Sequence, residues 1–318
     1  MPRRPGSRGE LLPVARPPVV HADEHPAWVV AAERRAGTWV RLGRGVYVPS
    51  SVTDPRALVV ARALGVHRRT TARHVFSHST AAVLHGLRLW AVDDVTHVRH
   101  AHRRSTHADP TIRHHTPVPP DENVTTVLDL PVTDLATTVQ DCLTTMSPLA
   151  GLVVADSALR AGLPRADLVS TAAAARGRGS ARARLLVALA DDGAESARET
   201  MTRFAFLRAG WPPPQTQVRV VTPRGVYWAD LGWPQWRVAV EYDGLEKYTE
   251  GRSDRLLAEK LRRDAFAEAS WRTVHVTRAD TLRTIVDRTY RALPPGALQA
   301  PRPLPLLSPA TPRHARTR

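Results

Sequence analysis

The chain of 318 residues contains a single cysteine, Cys142, which excludes a disulfide framework and a cysteine-rich zinc site. Its place in a helical, threonine-rich stretch predicts a small buried residue. Lysine is almost as scarce: Lys247 and Lys260 are the only two, and every other basic residue of the 45 is arginine. No apolar run approaches the length of a membrane span, and the arginine- and proline-rich N-terminus lacks the continuous apolar segment of a targeting signal. A soluble cytoplasmic protein is expected. No internal repeat is seen.

Positive charge is abundant. A net charge of +15 and a pI near 11.2 favour a polyanionic partner such as nucleic acid over an acidic small molecule. The length allows two modest domains, each with a core of its own.

The stretch from Gly225 to Tyr248 carries acids where strands seldom do. Val226 to Leu231 and Arg237 to Tyr242 are β-branched or aromatic runs joined by a Gly-Trp-Pro turn region, which predicts two strands of one sheet. Asp230 and Glu241 then fall at strand ends. Alternation puts Ala239, Glu241 and Asp243 on one face and Val238, Val240 and Tyr242 on the other. Three carboxylates gathered near a sheet edge repel one another unless a positive group joins them, and a hard divalent cation with its waters is the usual solution. Both lysines lie just downstream, and lysine, unlike arginine, is a compact point charge able to give up a proton. The alternative reading of the same acids is a solubilising rim around an Asp243-Gly244 turn.

Together with Glu259-Lys-Leu-Arg-Arg-Asp264 and Trp271-Arg-Thr-Val-His-Val-Thr277, this stretch resembles the very-short-patch-repair-like branch of the PD-(D/E)XK nuclease superfamily. The resemblance covers roughly residues 195 to 290. It implies a restriction-endonuclease-like β-β-α-β core behind a leading helix, with Mg²⁺ held by Asp230 and Glu241. Asp230 matches the motif's Asp, and Glu241 the acid that opens its second half. Where the superfamily places a lysine two residues after that Glu, this chain has Asp243, so Lys247 or Lys260 would take the lysine's part. Glu199, in the leading helix, resembles the superfamily's first acid.

Taken in order, residues 1 to 20 are rich in Pro and Arg and predict a disordered tail. Pro26 to Ala36 suits a short helix, and Thr38 to Val48 a hairpin turning at Gly43 to Gly45, an arrangement that suggests a winged helix. Asp54-Pro55 starts a helix that Gly65 is expected to stop, and Ser79 to His85 forms another before Gly86. His74 and His78 stand four apart, and His97, His100, His102, His107, His114 and His115 crowd the next segment. Zinc takes such donors, but the later ones fall among threonines and arginines on strands expected to be exposed, Val95 to Arg99 and Thr111 to Thr116, so no metal site is read there. Leu135 to Thr145 and Leu149 to Ala161 have the spacing of core helices, followed by helices at Arg165 to Ala175 and Ser180 to Ala190.

The segments Arg44-Gly-Val-Tyr-Val-Pro49, Ser77 to Leu87, Leu130 to Asp141 and Ala155-Asp-Ser-Ala-Leu-Arg160 resemble the AbiEi family of type IV toxin–antitoxin antitoxins over roughly residues 25 to 175. That resemblance implies a bacterial, DNA-binding repressor with a winged helix-turn-helix. This chain offers only about one helix before the hairpin, fewer than the family has. The phosphate contacts read from it are Arg34 and Arg35 in the short helix and Arg41 and Arg44 in the hairpin, because guanidinium groups grip phosphate without reading sequence.

The second domain is expected to begin near residue 193 with a helix from Glu195 to Ala209. On its wheel Glu199 shares a side with Arg203, so it either reaches the edge of the site or pairs with that arginine. Gln215 to Val221 is a strand. Asp254 to Ala269 is a helix whose inward stripe of Leu256, Leu257, Leu261 and Ala265 carries Lys260 toward the sheet. The domain closes near residue 292, and residues 293 to 318 are a Pro- and Arg-rich tail expected to be disordered.

The fold expected is thus α/β in the broad α+β sense: a degenerate winged helix and helical middle over 21–192, then a nuclease-like core over 193–292. The function expected is Mg²⁺-dependent hydrolysis of DNA in a defence or toxin–antitoxin setting, by Asp230, Glu241, Asp243, Glu199 and Lys247 or Lys260. Asp243 would add a ligand or a base. The alternative is a non-catalytic, antitoxin-like regulator that binds DNA and, through its helical middle, a cognate toxin.

Overall fold

The computed structural model describes residues 9–101, 109–243 and 252–308. The chain is of mixed α/β structure and divides into two compact units. One comprises Glu10–Met146 with Leu163–Ala183, the other Ser147–Gly162 with the chain from Arg184 onward, joined by Gly9. Among the described residues, no helix is long and apolar enough to cross a membrane.

In the first unit, β1 (Val20–His21), α1 (Ala27–Arg35), β2 (Trp39–Gly43) and β3 (Val46–Pro49) come first, and the strands form an antiparallel sheet in the order β1-β3-β2. The helix and hairpin lie where the sequence predicts them, and Gly45 at φ 68° makes the turn. In α2 (Pro55–Arg69) the Asp54 carboxylate caps the Arg56 and Ala57 N–H groups. Gly65 does not stop this helix, contrary to expectation. A Cβ there would lie 2.4 Å from Val46 Cγ2, so the glycine is what lets α2 lie close against β3.

The larger sheet of this unit runs β6-β5-β4-β8-β7. Its strands are β4 (His74–Phe76), β5 (Thr96–His100), β6 (Ile112–His115), β7 (Val124–Val127) and β8 (Leu130–Thr133), with α3 (His78–Leu84) between β4 and β5 in the chain. Val59, Val60 and Val66 of α2 meet Leu84, Phe76, Val98, Leu130 and Val132 in one core. The sequence predicts β5 to be exposed; instead Thr96, Val98 and His100 are buried along it. The three-residue β4, too short to leave a pattern in the sequence, pairs with β5 and makes it an interior strand. The N-terminal tail is also corrected from residue 10 onward. Val14 packs on the core, the Leu12 N–H donates to the Gly86 carbonyl oxygen at 2.8 Å, and Arg16 pairs with Asp129.

After α4 (Leu135–Thr145), α5 (Pro148–Arg160) belongs to the second unit, α6 (Arg165–Ala174) returns to pack on α4, and the division falls within α7 (Ser180–Leu189). The second unit continues with α8 (Ala197–Arg208), β9 (Gln215–Thr222), β10 (Gly225–Trp233), β11 (Val238–Asp243), α9 (Arg252–Glu268), β12 (Arg272–Thr277) and α10 (Leu282–Ala292). The sheet order is β12-β11-β10-β9, with β11 and β12 parallel and the other neighbours antiparallel. Helix α8 packs on α5, α10, β10 and β11, and its Phe206 stands edge-on to Trp233 with ring centroids 5.0 Å apart. From α9, Phe266 joins Val218, Val220, Ala229 and Ala239 in a second core.

The Arg203 guanidinium does not pair with Glu199. It donates to both oxygens of Asp156 on α5, at 2.7 and 2.8 Å, and both residues are buried. Asp156 also accepts from Thr200 and from the Asp191 N–H. The Asp156 of the antitoxin-like motif is therefore a structural anchor for α8. The C-terminal tail is corrected as well: Leu307 is buried, and the Leu304 N–H donates to the Arg208 carbonyl oxygen at 3.2 Å.

Candidate functional site

The acids of the second unit meet where its sheet is interrupted. On one side of β10 the ladder pairs Ala229 with Val218 and Leu231 with Thr216, and Gln217 between them has φ 48°. The register is the same on both sides of Asp230, so no residue is inserted; the pairing lapses only at Asp230 and Gln217, where the Gln217 backbone enters the left-handed region. On the other side the β10–β11 ladder holds Leu231 to Trp233 against Val238 to Val240 and ends there. Asp230 lies at this fork, and its Oδ2 accepts the Tyr242 N–H at 2.8 Å, so a carboxylate stands where a strand carbonyl would. The sequence places Asp230 and Glu241 at strand ends near an edge. Both lie within their strands, and these strands are the two interior ones of the sheet.

Glu241 and Asp243 face α9. Glu241 is opposite His275 in the parallel β11–β12 ladder and receives Arg262 of α9, whose Nε donates to Oε1 at 3.1 Å. The same guanidinium reaches the Trp228 carbonyl oxygen at 2.5 Å through Nη2 and lies 5.8 Å from the Tyr227 ring centroid. Asp243 Oδ2 takes a hydrogen bond of 3.0 Å from His275 Nδ1, and this partner raises the His275 pKa. Glu259 of α9 completes a group in which Asp243, Glu259 and His275 each bring one donor atom within 4.8 Å of the others. Neither His275 nor Glu259 is among the site residues expected from the sequence. The signal for His275 was available: parallel pairing sets it beside Glu241, and its strand lies in the quoted motif.

Glu199 is buried at the first turn of α8. Its Oε1 accepts the Ser196 hydroxyl at 2.9 Å and its Oε2 the Glu195 N–H at 2.7 Å, while Ser196 caps the Glu199 N–H in return. Burial, followed by the negative charge of Asp230, pushes its carboxyl pKa up to about 8. Glu199 thus reaches Asp230 electrostatically while capping its own helix. Carboxylate oxygens of this kind suit Mg²⁺. Both bonds from Arg262 to Glu241 fall on Oε1, so a cation at Asp230 and Glu241 competes with a guanidinium already bound. The mixed oxygen and imidazole set of Asp243, Glu259 and His275 suits Mn²⁺ or Zn²⁺ better.

Of the lysines, Lys247 lies outside the described residues. Lys260 does not point toward the sheet as expected: it is exposed, and Leu261 beside it is 44% exposed, while Ala265 and Phe266 are buried. The helix is turned so that Arg262 holds the position expected of the lysine. Of the expected stripe, the side chains of Leu256 and Leu257 lie outside the described residues, Ala265 is buried as expected, and Leu261 is not. In the first unit, Arg34 and Arg35 at the end of α1 and Arg41 and Arg44 in the hairpin are all exposed, and among the described residues none of the four is in an ion pair with an acid.

The first unit also gathers histidines that the sequence scatters. His78, His97 and His115 lie together, with the His78 and His115 rings stacked at 3.8 Å.

No family model matches the chain, and no solved structure does. Two uncharacterized proteins of Mycobacterium tuberculosis, MT2308 and Rv2248, are each 33% identical to it over 135 residues, 42% of this chain. The chain spans about half the length of these curated relatives, the match covering 49% of each.

Proposed function

We propose that the second unit is a PD-(D/E)XK-like, metal-dependent DNA endonuclease domain attached to an antitoxin-like, DNA-binding first unit. The observation that carries this is the fork in the sheet. Asp230 sits where the pairing with β9 lapses opposite Gln217 and the ladder with β11 ends, Glu199 approaches it from α8, and Glu241 and Asp243 follow on the neighbouring strand. A buried acid whose pKa is raised by burial and by a neighbouring carboxylate is a common mark of a functional site, and a cation relieves it. The order α8, β9, β10, β11, α9, β12 agrees with the core that the sequence resemblance implies.

In this reading Glu199, Asp230 and Glu241 would hold Mg²⁺, which would supply a bound water of lowered pKa and positive charge toward the phosphate. Arg262 keeps Glu241 oriented and presents a guanidinium beside the reacting phosphate. Asp243, tied to His275, forms a carboxylate–imidazole pair able to take up a proton. The exposed arginines of α1 and the hairpin contact DNA phosphates.

The test is incubation of the full chain and its Asp230→Ala variant with supercoiled, linear and mismatched DNA, in Mg²⁺, in Mn²⁺ and in chelator. Metal-dependent cleavage lost in the variant is expected; binding without cleavage under every condition would sink the nuclease reading. One observation favours a second reading, a regulator without catalysis: Glu241 is already neutralised by Arg262. In that case DNA binding persists in chelator, and a toxin partner is to be sought.

A further inference from the structure

We propose that His78, His97 and His115 form a binding site for one Zn²⁺ ion in the first unit, distinct from the carboxylate site and independent of the nuclease reading. One nitrogen of each ring lies within 4.8 Å of the other two. His97 Nδ1 and His115 Nε2 face each other at 3.0 Å. Two imidazole nitrogens bound to one tetrahedral zinc at about 2.0–2.1 Å are separated by about 3.3 Å. The facing pair is therefore already at ligand spacing, bridged by a proton that the metal would replace.

The surroundings select the tautomers that ligation needs. If His97 Nδ1 binds, its proton belongs on Nε2, which faces Asp93 Oδ2 at 3.8 Å. Asp93 is itself fixed by the Ser79 hydroxyl at 3.0 Å. At His78, Nδ1 lies 2.9 Å from Ser77 Oγ and 3.6 Å from Asp141 Oδ2, which leaves Nε2 for the metal. Asp141 is held in turn by Arg99. Carboxylates behind the remote nitrogens of metal-binding histidines fix ring orientation and ligand basicity. Imidazole must be neutral to bind.

The backbone adds a separate indication. His78 has φ 54°, a left-handed conformation that is unfavourable for a non-glycine residue and persists where its surroundings impose it. It places the imidazole at the start of α3, over the ends of β5 and β6. Metal binding would turn His78 out of its stack with His115 and tie the helix to the outer strands of the sheet. Solvent would complete the coordination, His97 being partly open to it.

The experiment strips the full chain with chelator, titrates it with Co²⁺ while recording visible absorption, and displaces Co²⁺ with Zn²⁺. One equivalent with a tetrahedral-type spectrum is expected, and Mg²⁺ in roughly 100-fold excess should not displace it. Affinity should fall by about tenfold or more in His115→Gln and in His97→Gln. Because His115 is on an outer strand, circular dichroism of both variants checks that they fold. Should both fail to fold, metal analysis of the His275→Gln chain after Zn²⁺ loading and desalting decides, one zinc per chain supporting the site and none overturning it. Absence of stoichiometric binding, or a signal that survives in His115→Gln and is lost in His275→Gln, would overturn the proposal.

Discussion

At the scale of single residues, two side chains carry consequences that composition conceals. Gly65 lies inside α2, where alanine would ordinarily gain about 1 kcal/mol over glycine. Here the added Cβ meets both γ-methyls of the buried Val46, at 2.4 and 2.7 Å. Overpacking of that kind costs about 1–3 kcal/mol, so Gly65→Ala is expected to lower stability in urea unfolding. Combined with Val46→Ala, the loss should be smaller than the sum of the two single losses. Strict additivity would show that α2 can move away from β3 freely.

His85 supplies the second. Its Nε2–H donates to the Thr133 carbonyl oxygen at 2.7 Å, and burial holds its pKa below 6.5. Buried His78 and half-buried His115 are shifted the same way. A histidine with a lowered folded pKa binds fewer protons folded than unfolded, so stability is present above pH 6.5 and is lost as pH falls below it, by at most about 1.4 kcal/mol per pH unit for each proton. Thermal unfolding of the full chain should therefore weaken steadily on acidification below pH 6.5. His85→Gln keeps a donor for Thr133 and should flatten that slope; an unchanged slope would mean that His85 is already charged in the fold.

At the scale of elements, the sheet of the second unit was legible and the roles on its flanking helices were not. Val226 to Leu231, Arg237 to Tyr242 and Gln215 to Val221 announce strands by β-branched and aromatic runs, and alternation placed Glu241 and Asp243 on a common face, the one α9 covers. The left-handed backbone at Gln217, opposite Asp230 in the β9–β10 register, left no mark in composition. On α9 the expected stripe holds at Ala265 and not at Leu261, where Arg262 beside it turns inward to Glu241 instead. The histidine group escaped notice for a related reason: its members come from α3, β5 and β6, and no spacing within one element joins them.

The pairing of α9 with β11 makes a prediction of its own. Arg262 and Glu241 are both mostly shielded from solvent, with side-chain exposures of 25% and 13%. Removing the guanidinium leaves a poorly solvated carboxylate, so Arg262→Met should destabilise the protein by about 1–3 kcal/mol. If the fork binds a divalent cation, Mg²⁺ can take over the neutralisation. Millimolar Mg²⁺ is then expected to raise the melting temperature of Arg262→Met more than that of the wild type. Equal shifts would argue that the cation does not reach Glu241.

At the scale of the whole molecule, a net charge of +15 is consistent with a nucleic-acid partner but does not locate it. The candidates are arginines not already engaged by acids. Much of the chain's arginine is consumed internally: Arg203 by Asp156, Arg99 by Asp141, Arg262 by Glu241 and Arg288 by Asp280. Arg34, Arg35, Arg41 and Arg44 are exposed on one helix and the hairpin that follows it. Each arginine that touches a phosphate releases counterions and contributes about 0.9 to the slope of log affinity against log salt. Replacing these four with glutamine should therefore weaken binding to a duplex at low salt and reduce that slope by about 0.9 for every phosphate no longer neutralised, as fluorescence anisotropy over a salt series would measure. The same experiment with Arg198→Gln, outside this group, gauges the loss of a general positive charge. A slope that falls equally in both would assign the four arginines to a solvated face and move the DNA-binding surface elsewhere on the chain.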